Sequence, residues 1–365
     1  MKITLERDTL LQKMQIASRF VSDKLNASSA LQGVFMKAAP EKLLLYATNL
    51  NMYYHTSIQV SVPDEFHSII EPKKIIEFMQ LLQPGSMDLL FEDNSLTITQ
   101  GKTKGVFPVI VSEEFPLPPD LLEERQTINS KFLLDNLPFI LFTASTDDAR
   151  PVLTGINFVV TDDELLIVST DGFRLSMLKD KSKGTFSSMI IPAEFLRELI
   201  RNMNEKTEVT FVHSKKENIV LFSANDDYYY TRLIEGEFPP FEKVIPAEKT
   251  TTVVLKKEDL LRNTKLISIF ARDYSNVIVY EFTSEGLILR PKKEGNKENT
   301  TSQDIQHEGE NHSVAFNYRY VLDFLNHTKA TDIVVEILRG DAPVVFKEKD
   351  NESFVHIIMP VRIQE

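Results

Sequence analysis

The sequence contains no cysteine in its 365 residues. This absence excludes disulfide bonds, thiolate nucleophiles, iron–sulfur clusters and cysteine-ligated zinc. Glycine is also scarce, with 12 residues, although roughly 7% is usual in proteins. Because phosphate-binding loops depend on glycine, the composition disfavours a nucleotide-binding enzyme.

Long hydrophobic runs are missing as well. No stretch reaches the roughly 18 apolar residues that a transmembrane helix requires. The N-terminal segment MKITLERDTLLQ is charged from its second residue and does not have the pattern of a targeting peptide. We therefore expect a cytoplasmic protein with no membrane partner.

Signatures of catalytic and metal sites are also absent from the sequence. The seven histidines fall at no HExxH or HxH spacing, and there is no GxxxxGKS/T, GxGxxG or GxSxG motif. Three acidic doublets are candidate Mg²⁺ ligands, although turns between strands also favour aspartate. These doublets are Asp147-Asp148, Asp162-Asp163 and Asp226-Asp227. We predict no catalytic residue, no metal site and no cofactor.

The segment STDGFRLSM, residues 169–177, has three interpretations. Asp171 is a candidate nucleophile or base, which would require a partner acid and a pocket. Alternatively, the segment is a strand end whose turn at Gly172 leaves Arg174 and Leu175 beside an apolar groove, as in a binding surface. A plain turn between two strands is the third interpretation.

Acidic residues outnumber basic residues by 53 to 41, which gives a formal net charge of −12. This charge argues against tight, non-specific binding to DNA, because such binding relies on cations that neutralise phosphates. Hydrophobic residues make up 42% of the chain and charged residues 26%, which are ordinary values for a soluble, folded protein.

The chain contains an internal repeat of a strand followed by an amphipathic helix. In the first copy, Leu10 and Leu11 lie on the apolar face of the helix. The pattern returns at Leu133-Leu134, 123 residues later, and at Leu260-Leu261, 127 residues further on. A second strand-to-helix pattern recurs independently around Pro72, Pro192 and Asn317, at spacings of 120 and 125 residues. Three copies of one structural unit are therefore predicted.

The repeats define the predicted domain organisation. Phe115-Pro116 and Phe238-Pro239, again 123 residues apart, close the first two units. We predict three similar α+β domains over residues 1–124, 125–247 and 248–365. Each should contain two helices packed on β-sheets of roughly eight strands. The polar segment 291–312 is predicted to be an exposed, mobile loop in the third unit.

Six segments, spread over all three repeats, form a set that is specific to one family. They are MKITLERDTLLQ at the start, FTASTDDARPVLTGINF at 142–158, STDGFRLSM at 169–177, EGEFPPFEKVIP at 235–246, FNYRYVLDFL at 316–325 and MPVRIQE at the end. Over its whole length the sequence resembles the bacterial DNA polymerase III beta subunit, the replicative sliding clamp. The resemblance implies a head-to-tail homodimer, a closed six-domain ring around double-stranded DNA with helices inside and sheets outside.

The function implied by the resemblance is that of a processivity factor, not an enzyme. An ATP-driven clamp loader would place the ring on DNA, where it would tether the DNA polymerase III catalytic subunit and other clamp-motif proteins of replication and repair. Such a protein would be cytoplasmic and associated with the nucleoid during replication. Because a ring that encloses DNA is held topologically, it needs no large electrostatic affinity, so the net acidity is compatible with this function.

The resemblance also implies a groove that binds short partner peptides, which typically carry a glutamine and paired apolar residues. The matching positions are Leu153, Thr170, Gly172, Arg174, Leu175, Pro239, Lys243, Val244, Tyr274, Asn317, Tyr320, Pro343, Met359, Pro360, Val361 and Arg362. Leu175, Val244, Met359 and Val361 would form its apolar floor. Arg174, Asn317 and Arg362 would orient polar groups of the peptide.

Two further sets of residues follow from the implied ring. Basic residues expected on the predicted helices and facing DNA are Lys13, Lys24, Lys74, Arg197, Arg201, Arg262 and Lys265; an ordinary solvated helix face is an equally good interpretation of each. The apolar residues expected at the dimer interface are Phe107, Ile269 and Phe270, for which core packing is the competing interpretation.

The sequence departs from the family pattern at three places. Phe173 stands where many relatives have histidine, and Pro151-Val152 stands where many have an aromatic pair that is associated with DNA contact. Gln364-Glu365 extends past the usual end. These departures leave a specialised clamp paralogue with an altered partner preference as an alternative function. A Mg²⁺-dependent nucleic-acid-modifying enzyme that uses the acidic doublets is a further alternative.

Overall fold

The structure is a computed structural model. It describes residues 1–365 except 25, 63, 93, 112–113, 182–185, 274, 293–298 and 363–365. Within the described residues the chain forms six α-helices and 25 β-strands. No helix in this part of the chain is long and apolar enough to cross a membrane.

The first third of the chain has two helices, each directly after a strand: α1 (Arg7–Ala17) and α2 (Pro72–Leu81). Its strands are β1 (Lys2–Glu6), β2 (Val34–Ala39), β3 (Lys42–Thr48), β4 (Met52–Gln59), β5 (His67–Ile70), β6 (Ser86–Glu92), β7 (Ser95–Gln100) and β8 (Thr103–Ile110). Pro72 begins α2, where the missing N–H of proline costs no hydrogen bond.

The middle third repeats this order with α3 (Ser130–Leu141) and α4 (Ala193–Arg201). Its strands are β9 (Gln126–Asn129), β10 (Gly155–Val160), β11 (Leu165–Thr170), β12 (Arg174–Asp180), β13 (Met189–Pro192), β14 (Glu208–Ser214), β15 (Ile219–Ala224) and β16 (Asp227–Arg232). Pro192 ends the strand before α4 and does not lie inside the helix.

The last third has α5 (Lys257–Ala271) and α6 (Tyr318–His327). Its strands are β17 (Thr251–Lys256), β18 (Val277–Thr283), β19 (Gly286–Pro291), β20 (Thr301–Gln303), β21 (Gln306–Gly309), β22 (His312–Asn317), β23 (Asp332–Ile337), β24 (Val344–Glu348) and β25 (Phe354–Ile358). Asn317 caps α6, because its side chain accepts a hydrogen bond from the backbone N–H of Arg319. The prediction of an α+β fold with two helices and roughly eight strands per repeat is confirmed.

The chain divides into two compact units, and each has its own sheets. The first unit, Met1–Phe132 with Arg197–Leu233, contains a 12-stranded antiparallel sheet in the order β1-β6-β7-β8-β5-β2-β3-β4-β16-β15-β14-β9. The second unit, Leu133–Leu196 with Ile234–Glu365, contains a nine-stranded sheet in the order β13-β10-β11-β12-β25-β24-β23-β17-β21. It also contains a four-stranded sheet in the order β20-β19-β18-β22.

The helices bury the apolar residues that the repeat predicts. Leu10 and Leu11 are buried on α1, Leu133 on α3 and Leu260 on α5. Leu134 and Leu261, the second member of each later pair, are half-buried. The repeated leucines therefore mark equivalent buried positions on the three helices.

Apolar clusters on the sheets are covered by chain segments that connect the repeats. In the first unit, Leu121 packs against a cluster that includes Tyr53 and Tyr230. In the second unit, Phe238 and Val244 pack against a cluster on β11, β12, β24 and β25. The segments that begin with Phe115-Pro116 and Phe238-Pro239 and close the first two repeats thus pack on the sheets.

The predicted loop at 291–312 is wrong for most of its described residues. Pro291 ends β19, Thr301–Gln303 pairs with β19, Gln306–Gly309 pairs with β17, and β22 begins at His312. Residues 293–298 lie outside the described part of the chain. The two short strands β20 and β21 have no apolar side chain, so they lack the apolar alternation by which a strand is recognised in a sequence.

Candidate functional site

A turn with several internal hydrogen bonds joins β11 to β12 at residues 170–174. The Thr170 hydroxyl donates to the Arg174 carbonyl (2.6 Å) and accepts from the Gly172 N–H (3.0 Å). Asp171 Oδ1 accepts from the N–H groups of Phe173 (2.8 Å) and Arg174 (3.0 Å). Gly172 has a φ of +92°, a conformation that glycine adopts without strain. This turn therefore has one well-defined shape.

Arg174 is held in place by groups of the protein itself. Its Nε donates to Asp171 Oδ2 (3.1 Å), one terminal nitrogen to Asp323 Oδ2 (2.5 Å) and the other to the Phe142 carbonyl (3.0 Å). The guanidinium carbon also lies 4.6 Å from the centre of the Tyr320 ring. With its side chain only 10% exposed, Arg174 fixes the position of its neighbours through these contacts.

A pocket of about 130 Å³ opens beside this turn. Eight residues predicted for the peptide groove line it: Leu153, Thr170, Gly172, Arg174, Leu175, Pro239, Val244 and Met359. The other lining residues are Pro240, Phe241 and Ile357. Ile357 lies directly opposite Leu175 in the β12–β25 pairing, so only the tertiary structure reveals it. The lining is mainly apolar, which suits a site that binds apolar side chains.

The remaining residues predicted for the groove do not line this pocket. Asn317 caps α6, Pro343 is half-buried before β24, and Lys243 is exposed in the turn Phe241–Val244. Tyr320 contacts Arg174, and Pro360 is half-buried. Tyr274 lies outside the described residues.

The C-terminal residues of the predicted groove lie along the four-stranded sheet. Val361 packs on Val277, Val279 and Ala315, and its N–H donates to the Ala315 carbonyl (2.8 Å). Arg362 is exposed, and its carbonyl accepts from Lys292 Nζ (3.0 Å). Val361 therefore covers sheet surface and does not contribute to the pocket floor.

The first unit contains a structural copy of the groove turn. The Thr48 hydroxyl donates to the Met52 carbonyl (2.8 Å) and accepts from the Leu50 N–H (2.9 Å). Asn49 Oδ1 accepts from the N–H groups of Asn51 and Met52, as Asp171 does in the second unit. Leu50 replaces Gly172 and also has a positive φ, of 75°.

Larger side chains follow this copied turn. Tyr53 lies opposite Tyr230 in the β4–β16 pairing, just as Leu175 lies opposite Ile357. Both tyrosines are 6% exposed. Two aromatic rings therefore stand where the second unit has two aliphatic side chains.

A buried histidine lies on the strand that carries Ile357. His356 is completely buried, its Nδ1 is 2.9 Å from Ser176 Oγ, and its ring stacks on Phe324. Among the described residues its Nε2 has no hydrogen-bond partner. Burial, with smaller contributions from Arg174 and His327, lowers the pKa of His356 well below its usual value of 6.5.

The lowered pKa of His356 leads us to expect that acid destabilises the second unit. Because the pKa of His356 is lower in the folded protein than the unfolded value of 6.5, the unfolded state binds the extra proton first as pH falls. The free energy of unfolding should thus be constant above about pH 7 and then decrease by up to about 1.4 kcal/mol per pH unit from this residue. Thermal denaturation between pH 8 and pH 5 measures the slope. A His356→Gln variant with the same slope as the wild type would contradict the assignment.

The predicted DNA-facing residues fall into two groups. Exposed side chains are those of Lys24, Lys74, Arg201, Arg262 and Lys265, and Arg197 is half-buried. Lys13 is mostly buried, with 16% of its side chain exposed, and forms a 2.6 Å ion pair with Asp227, which argues against a role in phosphate contact. Lys24 was expected on a helix, but α1 ends at Ala17.

The residues predicted for the dimer interface also differ in exposure. Ile269 and Phe270 on α5 are 49% and 43% exposed, whereas Phe107 is 9% exposed and packs edge-on against Phe78. Leu266 on α5 (46%) and Val106 on β8 (59%) were not predicted but are exposed. Leu266, Ile269 and Phe270 are spaced i, i+3, i+4, so they form an apolar stripe on one face of α5.

Three of the acidic residues considered for catalysis, Asp147, Asp171 and Asp227, have structural contacts. Asp171 is hydrogen-bonded within its turn, Asp147 binds the Ala149 N–H and Arg150, and Asp227 binds Lys13 and Tyr54. Within the described residues no group of three or more His, Asp or Glu side chains is arranged to hold a metal ion. These contacts give the carboxylates a role in the fold.

Comparisons with known proteins agree along the chain. Family models of the N-terminal, central and C-terminal domains of the DNA polymerase III beta subunit match residues 1–119, 127–240 and 242–362. The beta sliding clamp of Halalkalibacterium halodurans is 26% identical, covering 99% of this chain and 100% of the relative. That of Bacillus subtilis is 25% identical, with coverage of 99% and 100%.

A solved structure shows the same fold. The crystal structure of the DNA polymerase III beta subunit from Thermotoga maritima superposes with a TM-score of 0.92 at 22% identity, and the match covers 100% of both chains. Since the three domain models follow one another in order across nearly all of the sequence, the chain belongs to the DNA polymerase III beta subunit family.

Proposed function

We propose that this protein is a sliding clamp, a processivity factor that encircles duplex DNA as a head-to-tail homodimer and has no catalytic site of its own. The observation that carries the proposal is the ordered match of all three beta-subunit domains. The repeats that meet in such a ring would be bounded near residues 124 and 247, as the sequence pattern predicts. The protein would act in the cytoplasm, at the nucleoid.

The charge of the chain supports a topological mode of binding. A net charge of −12 opposes strong electrostatic adhesion to DNA, whereas a ring requires only that the duplex be enclosed. Exposed cations such as Lys74, Arg262 and Lys265 lie on α2 and α5. Contacts of such residues with phosphates position a protein without reading sequence, which permits sliding.

The pocket beside the turn at residues 170–174 is the proposed site for partner segments. Leu153, Leu175, Val244 and Met359 supply apolar surface for a peptide side chain, and the Arg174 hydrogen bonds hold the turn in shape. A preformed apolar pocket binds a peptide with little reorganisation. The DNA polymerase III catalytic subunit, the clamp loader and other clamp-motif proteins would compete for this pocket.

Retention on circular DNA tests the proposed function. We expect the protein, loaded by its clamp loader with ATP, to remain on nicked circular DNA through gel filtration. Linearising the circle should release it, because an enclosing ring slides off free ends. Equal retention on both forms would indicate ordinary affinity and would contradict the clamp mechanism. A covalently blocked linear DNA, with bulky groups at both ends, is the matched control and should retain the protein.

A further inference from the structure

One end of the pocket is bordered by an aromatic and acidic surface, the corner formed by Phe173, Tyr320 and Asp323. Phe173 is 55% exposed, although its backbone carbonyl accepts a 2.8 Å hydrogen bond from the Met359 N–H. The rings of Phe173 and Tyr320 are nearly parallel, at 18°, with their centres 6.4 Å apart. A large apolar side chain is thus exposed directly beside a lining residue of the pocket.

The polar groups at this corner carry an excess of negative charge. The guanidinium of Arg174 faces two carboxylates, those of Asp171 and Asp323. A second guanidinium, that of Arg150, lies beside Gly172 but is paired with Asp147, so the excess remains. Asp171 uses both of its oxygens in hydrogen bonds within the turn. Asp323 binds Arg174 through Oδ2, and the described residues give Oδ1 no hydrogen-bond partner. Its side chain is 42% exposed, so this oxygen is available to a ligand.

The pKa of the Tyr320 phenol reflects the same excess of negative charge. Burial raises its pKa, and Asp171 raises it further. Arg174 lowers the pKa in part, and Asp323 raises it again. The cation therefore offsets only part of the field of the two carboxylates. A negative potential next to the exposed ring of Phe173 favours a cation over a neutral or acidic group.

We infer that this corner receives a basic side chain, arginine or lysine, from the partner peptide whose apolar residues occupy the adjoining pocket. The inference rests on the proposed function of the pocket. A guanidinium matches both features of the corner, since it stacks on an aromatic ring and donates to a carboxylate. An acidic side chain would be repelled by Asp323, and an aliphatic one would leave its oxygen unused.

Peptide binding to the full-length dimer tests the inference. The probes are fluorescein-labelled peptides with one glutamine and two adjacent leucines, which carry arginine, glutamine or glutamate at one flank or the other. By anisotropy, one arginine peptide should bind about fivefold more tightly than its glutamine counterpart, as expected for one exposed ion pair with a cation–π contact. The glutamate peptide should bind more weakly than both.

Variants assign this preference to the corner. In Asp323→Asn and in Phe173→Ala, the arginine advantage should fall below about twofold, while the glutamine peptide keeps its affinity. Asp163→Asn, which removes an exposed carboxylate from a different turn of the same unit, should retain the full advantage. Equal binding of arginine and glutamine peptides, or an advantage that survives in Asp323→Asn, would overturn the inference while the pocket stands. Failure of every peptide to bind would instead overturn the proposed pocket.

Discussion

The Phe270→Asp variant should sediment as a monomer at protein concentrations where the wild type is a dimer. Phe270 belongs to the apolar stripe on α5 with Leu266 and Ile269, whose exposures are 43%, 46% and 49%. An apolar stripe on a helix is normally covered by another surface. A closed head-to-tail dimer has two copies of one heterologous contact. A substitution at this contact therefore affects both copies.

The expected effect is large because two costs add. Covering the exposed 43% of Phe270 contributes about 1 kcal/mol of apolar stabilisation at each interface, and an aspartate without a partner in the interface costs several kcal/mol more. The dimer dissociation constant should rise at least about 100-fold, as measured by sedimentation velocity over a dilution series. Leu122→Asp, at a site 94% exposed on the segment after β8, should leave the dimer intact. A dimer that survives Phe270→Asp would remove this face of α5 from the interface.

The Met359→Asp variant should lose peptide binding while the ring stays closed. Met359 is half-buried at the mouth of the pocket, and its backbone hydrogen bond to Phe173 does not depend on the side chain. A carboxylate at this position would lie among Leu153, Leu175 and Val244, where it has no partner and loses hydration. Leu175 is a poorer choice for substitution, because it is 3% exposed within the sheet cluster and a charge there threatens folding.

Peptide affinity should fall at least about 30-fold in Met359→Asp, as is typical when a central apolar contact is lost. Anisotropy with the labelled glutamine–leucine peptide measures the change. The two variants serve as each other's control, since Phe270→Asp should bind the peptide with normal affinity as a monomer. A Met359→Asp protein with wild-type peptide affinity would exclude the pocket as the partner site, and one that dissociates would show that the two surfaces are coupled.

The repeat pattern predicted the fold well because each copy obeys the same local rules. Leu10, Leu133 and Leu260 recur at equivalent helix positions, and all three are buried. The strands β20 and β21 escaped prediction, because their residues are polar and are held in the sheets by backbone pairing and, in β20, by side-chain hydrogen bonds to Asn263. Hydrophobic periodicity detects apolar residues on a buried face, and it cannot detect a strand that has no apolar side chain.

The site was predicted less completely than the fold. Four family-like segments, STDGFRLSM, MPVRIQE and those around Leu153 and Pro239, together indicated eight lining residues of the pocket. Ile357 and Asp323 were missed, because they reach the site through strand pairing and through an ion pair with Arg174. Val361 was assigned to the pocket floor but packs on β18 and β22. Contacts between residues far apart in sequence leave no local signal.

The copied turn at residues 48–52 bears on the stoichiometry of the assembly. Its hydrogen bonds reproduce those of the groove turn, yet Tyr53 and Tyr230 take the places of Leu175 and Ile357. Bulkier rings leave less room for a ligand side chain at the copied position. A dimer would then offer two sites for partners and not four, so that only two proteins could occupy one clamp at once. A polymerase and a repair factor that bind as proposed would therefore have to share these two sites.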